Sequence, residues 1–255
     1  MRYALISDIH GNLPALTTTL AHIRELGDID VIHHIGDLVG YGPWPNEVVK
    51  VVQDRAITGV AGNYDSTVAH HYKNCGCRYE DQQQERTAHE SYEWTLRNVS
   101  DETIRFLRGL PFSIDVLPHG GHTRGPRFVL VHAHPSNNLI YVDESRSDVF
   151  LSKMADSAGL GSGDVIAFGH THRPWYREVH GVHFVNTGSV GRPKDGDPRA
   201  GFAIVDFTDE GVKVEFVRID YDVDSVASAI LDSDLPHDFA DFLRSGGKSR
   251  ILRDA

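Results

Sequence analysis

Seven side chains of metal-ligand type stand at the ends of separate apolar runs: Asp8 and His10, Asp37, Asn63, His132, and His170 with His172. They belong to five short motifs: Asp8-Ile9-His10, Gly36-Asp37 with Gly40 behind it, Gly62-Asn63-Tyr64-Asp65, His132, and Gly169-His170-Thr171-His172. The set mixes imidazole nitrogen with carboxylate and amide oxygen and contains no thiolate. That suits Mn²⁺, the expected ion, or Fe, Co²⁺, Ni²⁺ or Zn²⁺, and disfavours calcium or an all-oxygen magnesium cage. Two divalent ions held about 3.5–4 Å apart need a ligand touching both, usually a carboxylate. Asp37, alone on a glycine-flanked turn, is the candidate bridge. Asp8 and His10, two apart just past a strand, face one ion only if the chain turns there, which Gly11 permits. His170 and His172 repeat that spacing, so one can serve each ion. Water bridging such a pair would lose a proton near neutral pH and become a nucleophile towards a phosphoryl group.

Strands and helices must bring these motifs together. Each motif follows a strand-like stretch, at residues 3–6, 31–35, 57–60, 128–131 and 165–168. In sheets with helical crossovers, loops at one edge gather side chains from distant parts of the sequence. Leu13, Leu16, Leu20, Ile23 and Leu26 recur at helical spacing, with Pro14 near the start and Gly27 at the end. Val48, Val49 and Val52 mark a second helix. This order predicts mostly parallel pairing and right-handed crossovers. Residues 66–110 carry no strand signal and read as a helical insertion. In it Ala88, Tyr92, Leu96 and Val99 share a face, and Ser100 caps a further helix that Gly109 and Pro111 stop. The hydrophilic stretch 73–85 is expected to be an exposed loop or a helix start, and the insertion is placed to overhang the site. Further strands are expected at 112–117, 182–185, 202–205 and 212–219, and a helix at 148–158. Two short helices split at Pro236 follow, with a frayed basic tail after Gly246-Gly247. No linker divides the chain, so residues 1–255 are expected to form one domain.

At 255 residues, with 40% hydrophobic and 24% charged residues, the composition is that of an ordinary globular protein. A chain of this length buries a sizeable core without disulfides or structural metal, which assigns the metals to chemistry. The two cysteines, Cys75 and Cys77, make no disulfide framework and match no common zinc spacing. They are expected to be loop residues without a role, in a reducing compartment. The first strand runs almost at once into Asp8, which leaves no room for a signal peptide. No apolar run approaches the eighteen or so residues of a membrane helix. A cytoplasmic, soluble protein is expected. The net charge of −11 repels nucleic-acid backbones, yet bound cations reverse the local field and admit a phosphate substrate.

The Asp-x-His, Gly-Asp-x-x-Gly, Gly-Asn-x-Asp, His and Gly-His-x-His series, in this order, resembles the calcineurin-like metallophosphoesterase superfamily. It is most similar to the compact bacterial and archaeal phosphodiesterase branch. The likeness spans residues 3–200, including Asn186-Thr187-Gly188-Ser189-Val190-Gly191 and Asp195-Gly196-Asp197-Pro198-Arg199. It implies one ion held by Asp8, His10, Asp37 and His172, and a second by Asp37, Asn63, His132 and His170. The implied fold is α/β, two facing mixed β-sheets flanked by α-helices, with the site at the strands' C-terminal edge. The implied activity is a phosphodiesterase acting on small-molecule or nucleotide phosphate esters. A phosphomonoesterase, a protein phosphatase, or a metal-binding scaffold with little turnover are the alternatives, and a homo-oligomer stays open. Where this chain has Tyr64, the family usually has a histidine, sometimes a cysteine; the resemblance implies that the histidine protonates the leaving oxygen, helped by the next acid, here Asp65. A phenol of ordinary pKa about 10 is a poorer donor at neutral pH. The departure touches acid catalysis and leaves metal binding intact.

Lone histidines in apolar stretches are more often core residues than ligands, which covers His22, His33, His34, His89, His180 and His183. His134 is close enough in sequence to reach the site or to support it. Tyr41 and Arg173 adjoin ligand loops as candidate phosphate contacts. Asn12 either steadies the first ligand loop or caps the helix after it.

Overall fold

Alternation along β1 (Arg2–Ile6) sends its side chains into two different cores. Tyr3 and Leu5 join Ala203, Val205, Phe128, Leu130, Val165, Ala167 and Val185 in one cluster, while Ala4 and Ile6 face Leu16, Leu20 and Val48 in another. A strand covered on both sides reads as a continuous apolar run, as residues 3–6 and 128–131 do. The computed structural model describes residues 1–79, 81–118 and 125–248.

One sheet has the order β10-β9-β1-β2-β3, with β2 (Val31–His34), β3 (Thr58–Gly59), β9 (Ala200–Thr208) and β10 (Gly211–Ile219). In it β1, β2 and β3 run parallel, and β9 pairs antiparallel with β1 and β10. The second sheet has the order β4-β5-β6-β8-β7, with β4 (Ser113–Val116), β5 (Phe128–Val131), β6 (Val165–Phe168), β7 (Trp175–Val179) and β8 (Val182–Asn186). Here β5, β6 and β8 are parallel and the edge strands β4 and β7 antiparallel. The sheets meet through the cluster around Tyr3, whose ring lies 5.3 Å from that of Phe128. Truncating Phe128 to alanine there would cost roughly 3–5 kcal/mol.

Helices α1 (Leu13–Leu26) and α2 (Pro45–Asp54) cover the outer face of the first sheet, and α6 (Asp148–Ala158) that of the second. The architecture is thus two mixed five-stranded sheets flanked by helices, as expected. The insertion forms α3 (Asn63–Ala69), α4 (Gln82–Asn98) and α5 (Asp101–Arg108). The C-terminal pair α7 (Val223–Leu231) and α8 (Asp238–Arg244) packs against Trp94 of α4. No described helix is long and apolar enough to cross a membrane.

Three features depart from the sequence reading. The edge strand β7 turns Tyr176 and Glu178 outward and has the charged pair Arg177-Glu178 at its centre, so it lacks an apolar run; it joins β8 through His180 and Gly181, both with positive φ. Helix α3 begins at Asn63 itself, too short for periodicity to reveal. Cys75 and Cys77 are joined in a disulfide around Gly76 (φ 70°), which corrects the reading of them as idle and unlinked. A left-handed glycine folds so short a segment back on itself, and spacing rules written for long frameworks miss it. Glu80, within the hydrophilic stretch, and the tail from residue 249 onward lie outside the described residues.

Candidate metal centre

All five motifs begin just past the C-terminal end of a parallel strand: β1, β2, β3, β5 and β6. To turn side chains inward there, the backbone takes left-handed conformations at Asp8 (φ 50°), His10 (φ 49°), Asp37 (φ 54°), His170 (φ 65°) and His172 (φ 59°). Such conformations cost non-glycine residues roughly 1–2 kcal/mol each and cluster at functional sites. The loops are stitched together by backbone bonds from Asp8 N–H to the Gly36 carbonyl (3.0 Å), from His10 N–H to that of Asp37 (2.9 Å), and from Gly169 N–H to that of His132 (2.9 Å). Two glycines are required by close approach. A methyl group on Gly62 would run into Asp37 Oδ1, and one on Gly169 into Ser7 Oγ and Asp8 Oδ2.

Asp8, His10 and His172 bring ligand atoms within 4.8 Å of one another, and so do Asp37, His132 and His170. Asp37 Oδ2 stands between the groups, 3.6 Å from His10 Nε2 and 3.5 Å from His132 Nε2. Asn63 Oδ1 lies 3.1 Å from His132 Nε2, because its amide nitrogen is held by the Cys75 carbonyl at 3.0 Å and Cys77 Sγ at 3.5 Å. Three rings are aimed by backbone carbonyls at Nδ1: His10 by Val39 (3.0 Å), His132 by Ile35 (2.8 Å) and His172 by Arg192 (2.5 Å). When each Nδ1 carries the proton, each Nε2 lone pair faces the centre.

Buried polar atoms are nearly always hydrogen-bonded, so the exceptions point to a missing partner. Both nitrogens of His170 are buried without a hydrogen bond, and Asp8 Oδ1 faces His172 Nε2 at 3.2 Å without hydrogen-bond geometry. Burial, then His172, holds the His10 pKa well below its ordinary value; burial, then Lys194, brings His172 down to about 4; burial, then His132, depresses His170. These three rings are therefore neutral donors near pH 7. Burial also opposes charge on His132, but Asp37 and Asp8 outweigh it and raise its pKa. Burial raises Asp37 despite His132, so cation binding there displaces a proton. The donor set fits the divalent metal pair that the family described below implies.

Asp65 is buried and gives both oxygens to backbone amides: Oδ1 accepts from Leu38 (2.9 Å) and Val39 (3.4 Å), Oδ2 from Gly62 (3.0 Å). It therefore braces two ligand loops. Tyr64 accompanies the triads, its ring 5.5 Å from His10 and 4.8 Å from Tyr41. Its hydroxyl is buried with no hydrogen bond of ordinary geometry, and burial, then Tyr41, holds its pKa well above 10. Asn12 both caps α1, accepting from Ala15 N–H at 3.1 Å, and donates to the Gly191 carbonyl at 2.9 Å. Ser189 Oγ donates to the Asp8 carbonyl (2.8 Å) and Asn186 Nδ2 to that of Gly169 (2.9 Å), so the 186–191 loop clamps two ligand motifs.

The triads open into a cavity of about 630 Å³, walled by Tyr41, Arg173, and by Cys77, Arg78, Tyr79 and Ala88 of the insertion. His134 bonds Ser136 Oγ at 2.9 Å and is not on that wall; nor are the six histidines read as core residues, of which His33 and His34 are buried while His89 and His180 lie exposed, since neither has apolar neighbours closing over it. Sequence reading missed Arg192, Lys194, Phe239, Phe242 and Lys248, which also line the wall, as do Tyr141 and Asp143. Arg192 and Lys194 follow directly on the 186–191 loop, but isolated cations carry no periodic signal.

The calcineurin-like phosphoesterase superfamily domain matches residues 1–210. An uncharacterized protein of Methanocaldococcus jannaschii is 32% identical over 255 residues, covering 91% of this chain and 93% of its own. A metallophosphoesterase from Sphaerobacter thermophilus superposes with a TM-score of 0.73 at 26% identity, covering 96% of this chain and 99% of its own. A hypothetical protein from Pyrococcus horikoshii OT3 shares the fold, with a TM-score of 0.79 at 23% identity and coverage of 97% and 99%. By the span of that match and by the extent of its likeness to the archaeal relative, this chain belongs to the calcineurin-like phosphoesterase superfamily.

Proposed function

We propose that the protein is a binuclear metal-dependent phosphodiesterase. The observation carrying this reading is the position of Asp37 Oδ2, within 3.6 Å of an imidazole nitrogen from each triad. Asp8, His10, Asp37 and His172 would hold one ion, and Asp37, Asn63, His132 and His170 the other. The imidazole-rich set favours Mn²⁺ over Mg²⁺. When bound, such ions supply Lewis-acid activation of water and neutralise phosphoryl charge.

The chain's own residues do the rest. The carbonyls of Val39, Ile35 and Arg192 keep three rings aimed. Asp65 is a positioning residue, bracing the loops of Asp37 and Asn63. Tyr64 keeps its proton at neutral pH, so it donates a hydrogen bond to a substrate oxygen but yields the proton reluctantly. Esters of acidic alcohols are then the best substrates. A diester is supported by the cavity, whose volume of about 630 Å³ extends from the triads to residues of α4 and α8.

The test uses bis(p-nitrophenyl) phosphate with protein stripped of metal and reloaded. Stripping should abolish hydrolysis and leave the circular dichroism folded, since the core is large enough alone. Mn²⁺ should restore turnover better than Mg²⁺. Asp37→Asn should lose more activity than any other single ligand change, with metal content short of a full pair. Undiminished turnover and full occupancy in that variant would overturn the bridging role. If the reloaded protein cleaves neither diesters nor monoesters, the scaffold reading stands, which Tyr64 is the residue to favour.

A further inference from the structure

In a chain of net charge −11, the cavity wall is strongly basic. Arg78, Arg173, Arg192, Lys194 and Lys248 line it, against Asp143 and the ligand Asp37 as carboxylates. Some arginines elsewhere are paired, as Arg127 is with Asp115 and Arg177 with Asp148, and others, such as Arg24 and Arg55, stand exposed to solvent. Among the described residues, none of the five wall cations has a carboxylate within ion-pair distance.

Arg192 is the most constrained of them. It is 8% exposed, and its guanidinium is stacked 3.9 Å from the Tyr41 ring centre and 3.8 Å from that of Phe242. Stacking satisfies the faces of the group but leaves its N–H edge without an acceptor among the described residues. A buried cation with no counter-anion is unfavourable unless an anion arrives. Two contacts tie it to the candidate ligands: Tyr41 lies 4.9 Å from the His10 ring, and the Arg192 carbonyl holds His172 Nδ1. Lys194 is half-buried on the same side, its backbone N–H donating to the His172 carbonyl at 3.3 Å. The stacked rings hold the guanidinium beside the Asp8–His10–His172 triad, one aromatic ring removed from it.

Resting on the phosphodiesterase reading, we propose that Arg192 and Lys194, with Lys248 at the rim, form a subsite for a second phosphate. The substrate class is a phosphodiester whose alcohol or nucleoside part carries a further phosphate group. Guanidinium forks and ammonium groups recognise phosphate by charge-assisted hydrogen bonds. A single-charge diester would leave this edge of the wall unpaired.

Two probes that release the same nitrophenol test it: the p-nitrophenyl ester of thymidine 5′-phosphate, and the same ester phosphorylated at the 3′ oxygen. The Mn²⁺-loaded protein should favour the second by roughly tenfold or more in kcat/KM, mainly through KM, the scale of one charge-assisted bond. Arg192→Gln and Lys194→Gln should each collapse that ratio towards one, while Lys153→Gln, on α6 and off the wall, should keep it. Equal kcat/KM on both probes in the unaltered protein would overturn the subsite and leave hydrolysis standing. Equal losses on both probes in the variants would place the cations on the scissile phosphate and also overturn it. If neither probe is cleaved, the phosphodiesterase reading fails by itself. Calorimetry with thymidine 3′,5′-bisphosphate against thymidine 5′-monophosphate then decides the subsite: tighter bisphosphate binding lost in the variants supports it, and equal binding refutes it. Should Arg192→Gln fail to fold, the partly exposed Lys194→Gln carries the comparison.

Discussion

Acid should loosen the strand that delivers Asp37, and His34 makes the size of the effect calculable. His34 ends β2, is fully buried, and has no hydrogen bond at either ring nitrogen. Its ring lies against Gly59 of β3. Burial, then neighbouring His33, pushes its pKa from 6.5 down to about 3. The unfolded chain therefore takes up this proton below pH 6.5, while the folded protein refuses it until about pH 3. A depressed folded pKa means stability present above the unfolded value and lost as pH falls towards the folded one. Between those limits the slope is about 1.4 kcal/mol per pH unit, so going from pH 7 to about pH 5 should cost about 2 kcal/mol from this residue alone. Urea denaturation at both pH values measures it for the unaltered protein and for His34→Leu in the same metal state. The leucine variant should lose about 2 kcal/mol less over that interval, whatever its stability at pH 7. Equal losses in the two proteins would refute the reasoning, as would a His34 proton resonance that titrates near pH 6.5.

Gly62→Ala drives a methyl group into the Asp37 carboxylate. It should weaken Mn²⁺ binding by roughly 10–100-fold, the range for disturbed support of a metal ligand. Calorimetry checks this against Gly161→Ala, whose methyl would meet nothing within 4 Å; equal affinities would discount the close approach. At Tyr64, rate should depend steeply on leaving-group acidity across a series of phosphodiesters. Tyr64→His should flatten that dependence and raise rates on poor leaving groups by roughly 10²-fold, and Tyr64→Phe should cost little on nitrophenyl esters. Superimposable slopes for the three proteins would exclude Tyr64 from proton transfer.

Much of the fold was legible because its signals are local. The Leu13 to Leu26 periodicity closed by Gly27, the Ser100 cap, and the helix at 148–158 all appear as read, since spacing and capping act within a few residues. Strand β7 and helix α3 were illegible for the same reason: one is an edge strand whose apolar run is broken by Arg177 and Glu178, the other too short to show a period.

The seven candidate ligands and their order along the chain were legible in the sequence alone, because each motif that carries them follows an apolar strand. What the tertiary structure decided is everything that depends on distance across the chain. Only packing of the two sheets puts Asp37 Oδ2 between His10 and His132, residues far apart in sequence. Only the loop carbonyls choose which imidazole nitrogen faces inward. The Cys75–Cys77 turn holds Asn63 through a bond that no spacing rule contains. Arg192 is a lone charge in the sequence. It becomes a buried, unpaired cation beside the ligands only once Tyr41 and Phe242, from opposite ends of the chain, close around it. Local propensity carries no information about such meetings, because their energy arises from contacts formed after the chain has folded.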